Sequence, residues 1–211
     1  MKPVKLLQIR TLLAVALTAT TLLLVPRAQA MQSIVGSKHD MSAYTNSAGQ
    51  VCVACHTPHN AQANQLAPLW NHTSSSTPFT LYSSATLKST PGQPTGASKA
   101  CLSCHDGTVA LDSFGNKTPG SAGKISGANN LGTDLSDDHP VSLTYDASLV
   151  TLNPTLVSPV SGAFVDSAKT VPLFNGKLEC ASCHDAHDNT YTFFLRKSNA
   201  GSALCLSCHN K

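Results

Sequence analysis

Eight cysteines fall in four copies of one pentapeptide: Cys52-Val53-Ala54-Cys55-His56, Cys101-Leu102-Ser103-Cys104-His105, Cys180-Ala181-Ser182-Cys183-His184 and Cys205-Leu206-Ser207-Cys208-His209. None is left over. Two thiols three positions apart can add to the two vinyl groups of one porphyrin. The histidine that follows stands where its imidazole can bind the iron from the same side. This C-x-x-C-H spacing is the signature of c-type haem attachment, and four copies predict four haems c per chain. Structural zinc and a disulfide framework in an exported chain are the competing uses of paired cysteines. Neither needs a histidine after every second cysteine. With nine histidines in 211 residues, four such placements by chance have a probability of about a few in a million. His56, His105, His184 and His209 are therefore the expected proximal ligands.

The remaining histidines, His39, His59, His72, His139 and His187, decide what kind of haem protein this is. An axial methionine would raise the potential, but beyond residue 30 the chain has only Met31 and Met41. Five spare imidazoles can serve four irons, so the economical expectation is four low-spin, bis-histidine haems with no vacant coordination site. His59 and His187 each follow a proximal histidine by three residues. Three residues reach roughly 10 Å when extended, too little to round the porphyrin rim, so each must bind the iron of a different haem. The segment from His184 to Cys205 is the shortest between any two motifs, which makes the fourth haem the expected target of His187. By the same logic His59 serves the second haem. His39 and His139 then complete the first and third in some order. Pro140 pushes His139 toward extended backbone. His72 is the spare or alternative distal ligand, and Trp70 beside it reads as packing against a porphyrin.

The elements that position these groups are sparse in the sequence. Lys2, Lys5 and Arg10 precede an apolar stretch from Leu12 to Val25, and Ala28-Gln29-Ala30 is a small-x-small cleavage site. Residues 1–30 thus read as a cleaved secretory signal whose apolar stretch is too short to span a membrane. Residues 31–211 are then one tetrahaem domain of ordinary size. Removing the signal's four positive charges takes the formal charge from +3 to −1, and no basic face is left to meet nucleic-acid phosphates. The domain is rich in serine and threonine, while large apolar side chains are few. No stretch sustains helical periodicity, and Pro91-Gly92-Gln93-Pro94 and Gly115–Gly132 punctuate the chain. The clearest strand signal is a hairpin, Val171–Phe174 and Lys177–Cys180 around Asn175-Gly176. The expected fold is mostly irregular coil with a few short α-helices at the attachment motifs and a minor β-hairpin. Iron and thioether bonds would order its loops, as a metal orders a small domain.

The segments CVACHTPHNA (52–61), PLWNH (68–72), SKACLSCHDGTVAL (98–111), GTDLSDDHPVSLTY (132–145), LECASCHDAH (178–187) and FLRKSNAGSALCLSCHN (194–210) resemble the multihaem c-type cytochromes of the doubled CXXCH family. The likeness is strongest to small tetrahaem members exported by metal-reducing bacteria. It implies bis-histidine haems, little regular structure and extracellular or periplasmic electron transfer. Some such cytochromes polymerise into filaments in which a histidine of one subunit completes a haem of the next. The resemblance makes His39 the candidate for a ligand donated to an adjacent subunit.

The expected function is an electron carrier, not an enzyme: a polymeric wire, with a soluble periplasmic shuttle as the alternative. A multihaem reductase would need an open axial site, which the ligand count argues against. A structural filament in which conduction is incidental is the remaining class. The partners expected are further copies of the chain, redox partner cytochromes and extracellular acceptors, with an extracellular rather than periplasmic location. Counting ferric haem as −1 and ferrous haem as −2, with ionised propionates, takes the loaded protein to about −5 oxidised and about −9 reduced. Lys99, Lys117, Lys124, Lys177, Arg196 and Lys197 are the natural partners of those propionates.

Overall fold

Gly, Pro, Asn and Ser interrupt the chain so often that, among the described residues, no regular element is longer than α1 (Gly96–His105). The computed structural model describes residues 34–63 and 66–210; the expected signal, residues 1–30, lies outside them. Two further α-helices are present, α2 (Ala147–Leu152) and α3 (Cys180–Cys183). The strands have two residues each: β1 (Thr80–Leu81), β2 (Asp134–Leu135), β3 (Leu143–Thr144) and β4 (Lys177–Leu178). The rest of the described chain is coil, turn, isolated bridges or single 3-10 turns. The fold is the small, irregular one the sequence predicts.

Strand β1 pairs in parallel with β2, Leu81 opposite Leu135. Strand β3 pairs antiparallel with β4, Leu143 opposite Leu178. The expected hairpin keeps its turn. Asn175 (φ 53°) and Gly176 (φ 73°) are both left-handed, as a type I′ turn requires, and Phe174 and Lys177 exchange two backbone hydrogen bonds of 2.9 and 3.0 Å. Beyond the turn the two arms part. Val171 and Leu173 bond to Val165 and Ala163, while β4 turns to β3. The division is dictated by burial, because Leu143, Tyr145, Leu149, Val165, Val171, Leu173, Leu178 and Leu204 form one apolar cluster that neither arm could complete against the other.

Two smaller clusters complete the apolar packing described: Met41, Ala54 and Phe114, and Phe79, Leu102 and Leu135. Each large apolar side chain fully withdrawn from water contributes about 1.5–3 kcal/mol. Dividing the apolar residues among three small clusters leaves much of the order to polar contacts. Helix α1 shows why. Ser98, Ala100, Leu102 and Ser103 of this helix are all buried, and the short side chain of Ser98 meets α3. Cys180 N–H donates to Ser98 Oγ at 2.9 Å. Glu179, 2% exposed, accepts from Ser142 Oγ at 2.8 Å, while its own N–H donates to Ser182 Oγ at 3.0 Å in a capping box. One buried carboxylate thereby fastens β3 to the start of α3.

Candidate haem-attachment sites and their histidines

The pentapeptide spacing acquires its meaning from one turn of helix. In the first, third and fourth motifs the N–H of the histidine donates to the carbonyl of the first cysteine, at 2.9, 3.0 and 3.0 Å. The second motif is the last turn of α1. Positions i, i+3 and i+4 of a helical turn share a face, so both thiols and the imidazole project to one side. No two of the eight cysteines form a disulfide. Burial pushes the Cys55 thiol up to about 11, and Cys104 and Cys208 up to about 12. Cys101 donates to Cys180, which raises Cys101 and lowers Cys180.

Three of the proximal imidazoles are oriented by backbone carbonyls. Nδ1 of His56 lies 2.7 Å from Pro68 O, Nδ1 of His105 lies 2.8 Å from Asn129 O, and Nδ1 of His184 lies 2.8 Å from Phe193 O. A carbonyl only accepts, so each Nδ1 carries the proton and Nε2 keeps its lone pair. That is the arrangement by which a second group orients a metal-binding histidine. The acceptor at His184 comes from an unusual stretch, since Phe193 and Phe194 both have positive φ, 62° and 57°. The same bend lets Phe194 O accept from Asp185 N–H at 2.7 Å.

The structure also brings three distal candidates to three proximal histidines. His187 faces His56 with ring centroids 6.0 Å apart and planes 18° from parallel. His39 faces His105 at 6.2 Å and 85°. His139 faces His209 at 6.4 Å and 75°. These pairs differ from the pairing that chain separation suggests. His187 lies against the first motif, not the fourth, because the segment after α3 folds back across His56. His39 is half-buried against the second motif of its own chain and packs on Phe194 at 4.5 Å. Burial, then the neighbouring charges of His105, His187 and His184, lower its pKa, partly offset by a hydrogen bond to the Ala186 carbonyl. The His39–His105 and His56–His187 pairs therefore adjoin one another.

Three histidines stand apart from these pairs. His72 is 1% exposed, with Nδ1 2.9 Å from Thr73 O and Nε2 3.1 Å from Ala110 O; both its nitrogens face carbonyls. His59 is exposed in a turn held by Thr57 Oγ1. Among the described residues, neither His59 nor His184 has another imidazole against its ring. Asp185, which no sequence pattern singled out, lies 3.4 Å from Nδ1 of His187 and binds Arg196 at 3.0 Å. The carbonyls of Pro68, Asn129 and Phe193 were equally invisible, since every residue has one.

These surroundings suit haem c. Cys180, Cys183 and His184 open on a cleft of about 240 Å³ whose other walls include Pro94, Leu102, Leu131 and Leu135, an apolar lining beside thiols. Two buried nitrogens, Nδ1 of His39 and Nε1 of Trp70, have no hydrogen-bond partner; the first belongs to an expected ligand, and the second lies beside His56, 6.2 Å between ring centroids. Among the described residues, no three His, Cys, Asp or Glu side chains converge as a tetrahedral metal site requires. The imidazoles meet in twos. No helix among the described residues is long and apolar enough to cross a membrane. No curated protein matches the chain. The family model named Doubled CXXCH motif matches residues 172–211, the third and fourth attachment sites, and with two further copies upstream it supports a multihaem c-type cytochrome, a haem-binding electron-transfer protein.

Proposed function

We propose that the chain carries electrons through four covalently attached haems c, and that copies of it associate into an extracellular filament which passes electrons to external acceptors. One observation carries the electron-transfer reading: four complete attachment turns lie in one compact unit, Gln32–Lys211, with distal imidazoles already facing three of the four proximal ones. Bound haem c supplies the redox chemistry, its iron passing between ferric and ferrous states. The protein's own part is positional. One-turn helices aim each thiol pair and imidazole to the same side, and backbone carbonyls fix which nitrogen is free. Burial of Glu179, Ser98 and Ser182 locks the second and third motifs against each other. Electron tunnelling falls steeply with distance, so this close placement is what a relay needs.

Two complementary deficits support the filament. His184 lacks a facing imidazole among the described residues, and His59 is an exposed imidazole without a use. His59 of one copy serving His184 of the next would satisfy both, and it replaces His39 as the histidine offered across a subunit boundary. The same observation favours a second reading, a reductase whose open axial site is at His184. Negative-stain microscopy and a carbon monoxide titration of the reduced, loaded protein separate the two. Uniform filaments with negligible carbon monoxide binding are the expected result. Monomers at high concentration that bind about one carbon monoxide per chain would refute the filament and favour the reductase.

A further inference from the structure

We infer that the axial ligands pair across motifs as His56 with His187, His105 with His39, and His209 with His139, so that every one of these haems is held from two distant parts of the chain. The assignment rests on the haem-binding reading above and adds to it which imidazoles share an iron.

The separations carry it. A metal–imidazole bond of about 2 Å on each side, with roughly 1.1 Å from each ring nitrogen to its centroid, sets coaxial imidazoles about 6.2 Å apart. The three observed separations are 6.0, 6.2 and 6.4 Å. His56 and Trp70 also lie 6.2 Å apart, but an indole cannot ligate iron; the three pairs join imidazole to imidazole and draw on six different segments. Tautomers agree. In the first two pairs the proximal Nδ1 is occupied by a carbonyl, which leaves Nε2 for the metal. The distal Nδ1 of His187 lies near Asp185 and that of His139 near Pro140 O at 3.0 Å, so their Nε2 atoms are the free ones too. His139 also lines the cleft beside His184, but its ring is set against His209. His72 is excluded by its two carbonyl contacts. In this assignment His187 serves the first haem rather than the fourth, a haem other than the one attached beside it.

The ring planes make the assignment testable. Near-parallel imidazoles on low-spin ferric haem give a rhombic electron paramagnetic resonance signal, whereas near-perpendicular ones give a highly anisotropic signal with a large maximal g value. The His56–His187 pair, at 18°, predicts the former, and the pairs at 85° and 75° predict the latter. Intact mass first establishes the haem load of the purified protein, which tests the haem-binding reading separately. In fully loaded protein, His187→Ala should remove one rhombic spin per chain and create one high-spin haem. His39→Ala and His139→Ala should each remove one large-g spin. His187→Met, which keeps an axial ligand, should shift the same rhombic spin if His187→Ala does not fold. Loaded wild-type protein without a rhombic component, or loss of a large-g component on changing His187, would overturn the pairing.

Discussion

Replacing His72 tests whether this buried histidine is a ligand or a structural residue. The side chain is 1% exposed, lies 6.5 Å from the Phe114 ring between centroids, and has Cys104 Sγ 3.5 Å from Nε2. A neutral imidazole donates only one N–H, so one of its two carbonyl contacts is a true hydrogen bond, worth about 0.5–1.5 kcal/mol. Truncating a fully buried side chain adds about 2 kcal/mol or more for lost packing and the void left behind. His72→Ala should therefore cost about 3 kcal/mol. With a guanidinium slope of roughly 4 kcal/mol per M, the unfolding midpoint should fall by about 0.7 M. Circular dichroism during denaturant titration measures that shift, and a carbon monoxide difference spectrum of the same sample counts open irons. The structural role requires a lower midpoint with the carbon monoxide signal unchanged from wild type. One newly opened iron per chain in a variant of undiminished stability would show that His72 is a ligand and not a structural residue.

Burial lowers the His72 pKa, partly offset by hydrogen bonds to Thr73 and Ala110. The unfolded chain takes up a proton near pH 6.5 before the folded one does. The stability held by neutral His72 is thus complete above about pH 6.5 and is lost as pH falls from there toward the lowered folded value; the gap between wild type and His72→Ala should narrow over that window in denaturant titrations. Gly107 follows α1 at φ +68°, and a Cβ there would stand 2.6 Å from Asn130 Oδ1, which itself accepts from Gly132 N–H. Gly107→Ala should cost about 1–3 kcal/mol, read as a lower thermal midpoint. A value indistinguishable from wild type would mean that the turn relaxes freely. Tyr145 is buried and its hydroxyl donates to Val157 O at 2.7 Å. Tyr145→Phe should lose about 1 kcal/mol in the same measurement with no haem lost from the intact mass.

The chemistry of this protein was written in its residue types, and the reason is local. Cysteines at i and i+3 and histidine at i+4 meet on one helical turn whatever surrounds them, so Cys52 to His56 could be read without a fold. The Asn175-Gly176 turn was legible for the same reason, since Asn-Gly is the pair that most readily takes left-handed backbone at two successive positions. The irregular fold followed from composition: frequent turn formers and few large apolar side chains leave three small clusters. Partnership was not legible. Nearness along the chain pointed His187 to the fourth motif, but chain separation bounds reach and does not select direction. The buried joint of Glu179, Ser142 and Ser98 and the bend at Phe193–Phe194 turn the segment after α3 back to His56, and those contacts exist only once the chain is folded. Likewise, nothing in Pro68, Asn129 or Phe193 marks its carbonyl as the one that orients an imidazole. Sequence alone determined which atoms can bond to haem; tertiary structure decided which of them face each other, because pairing depends on where non-local packing carries each turn.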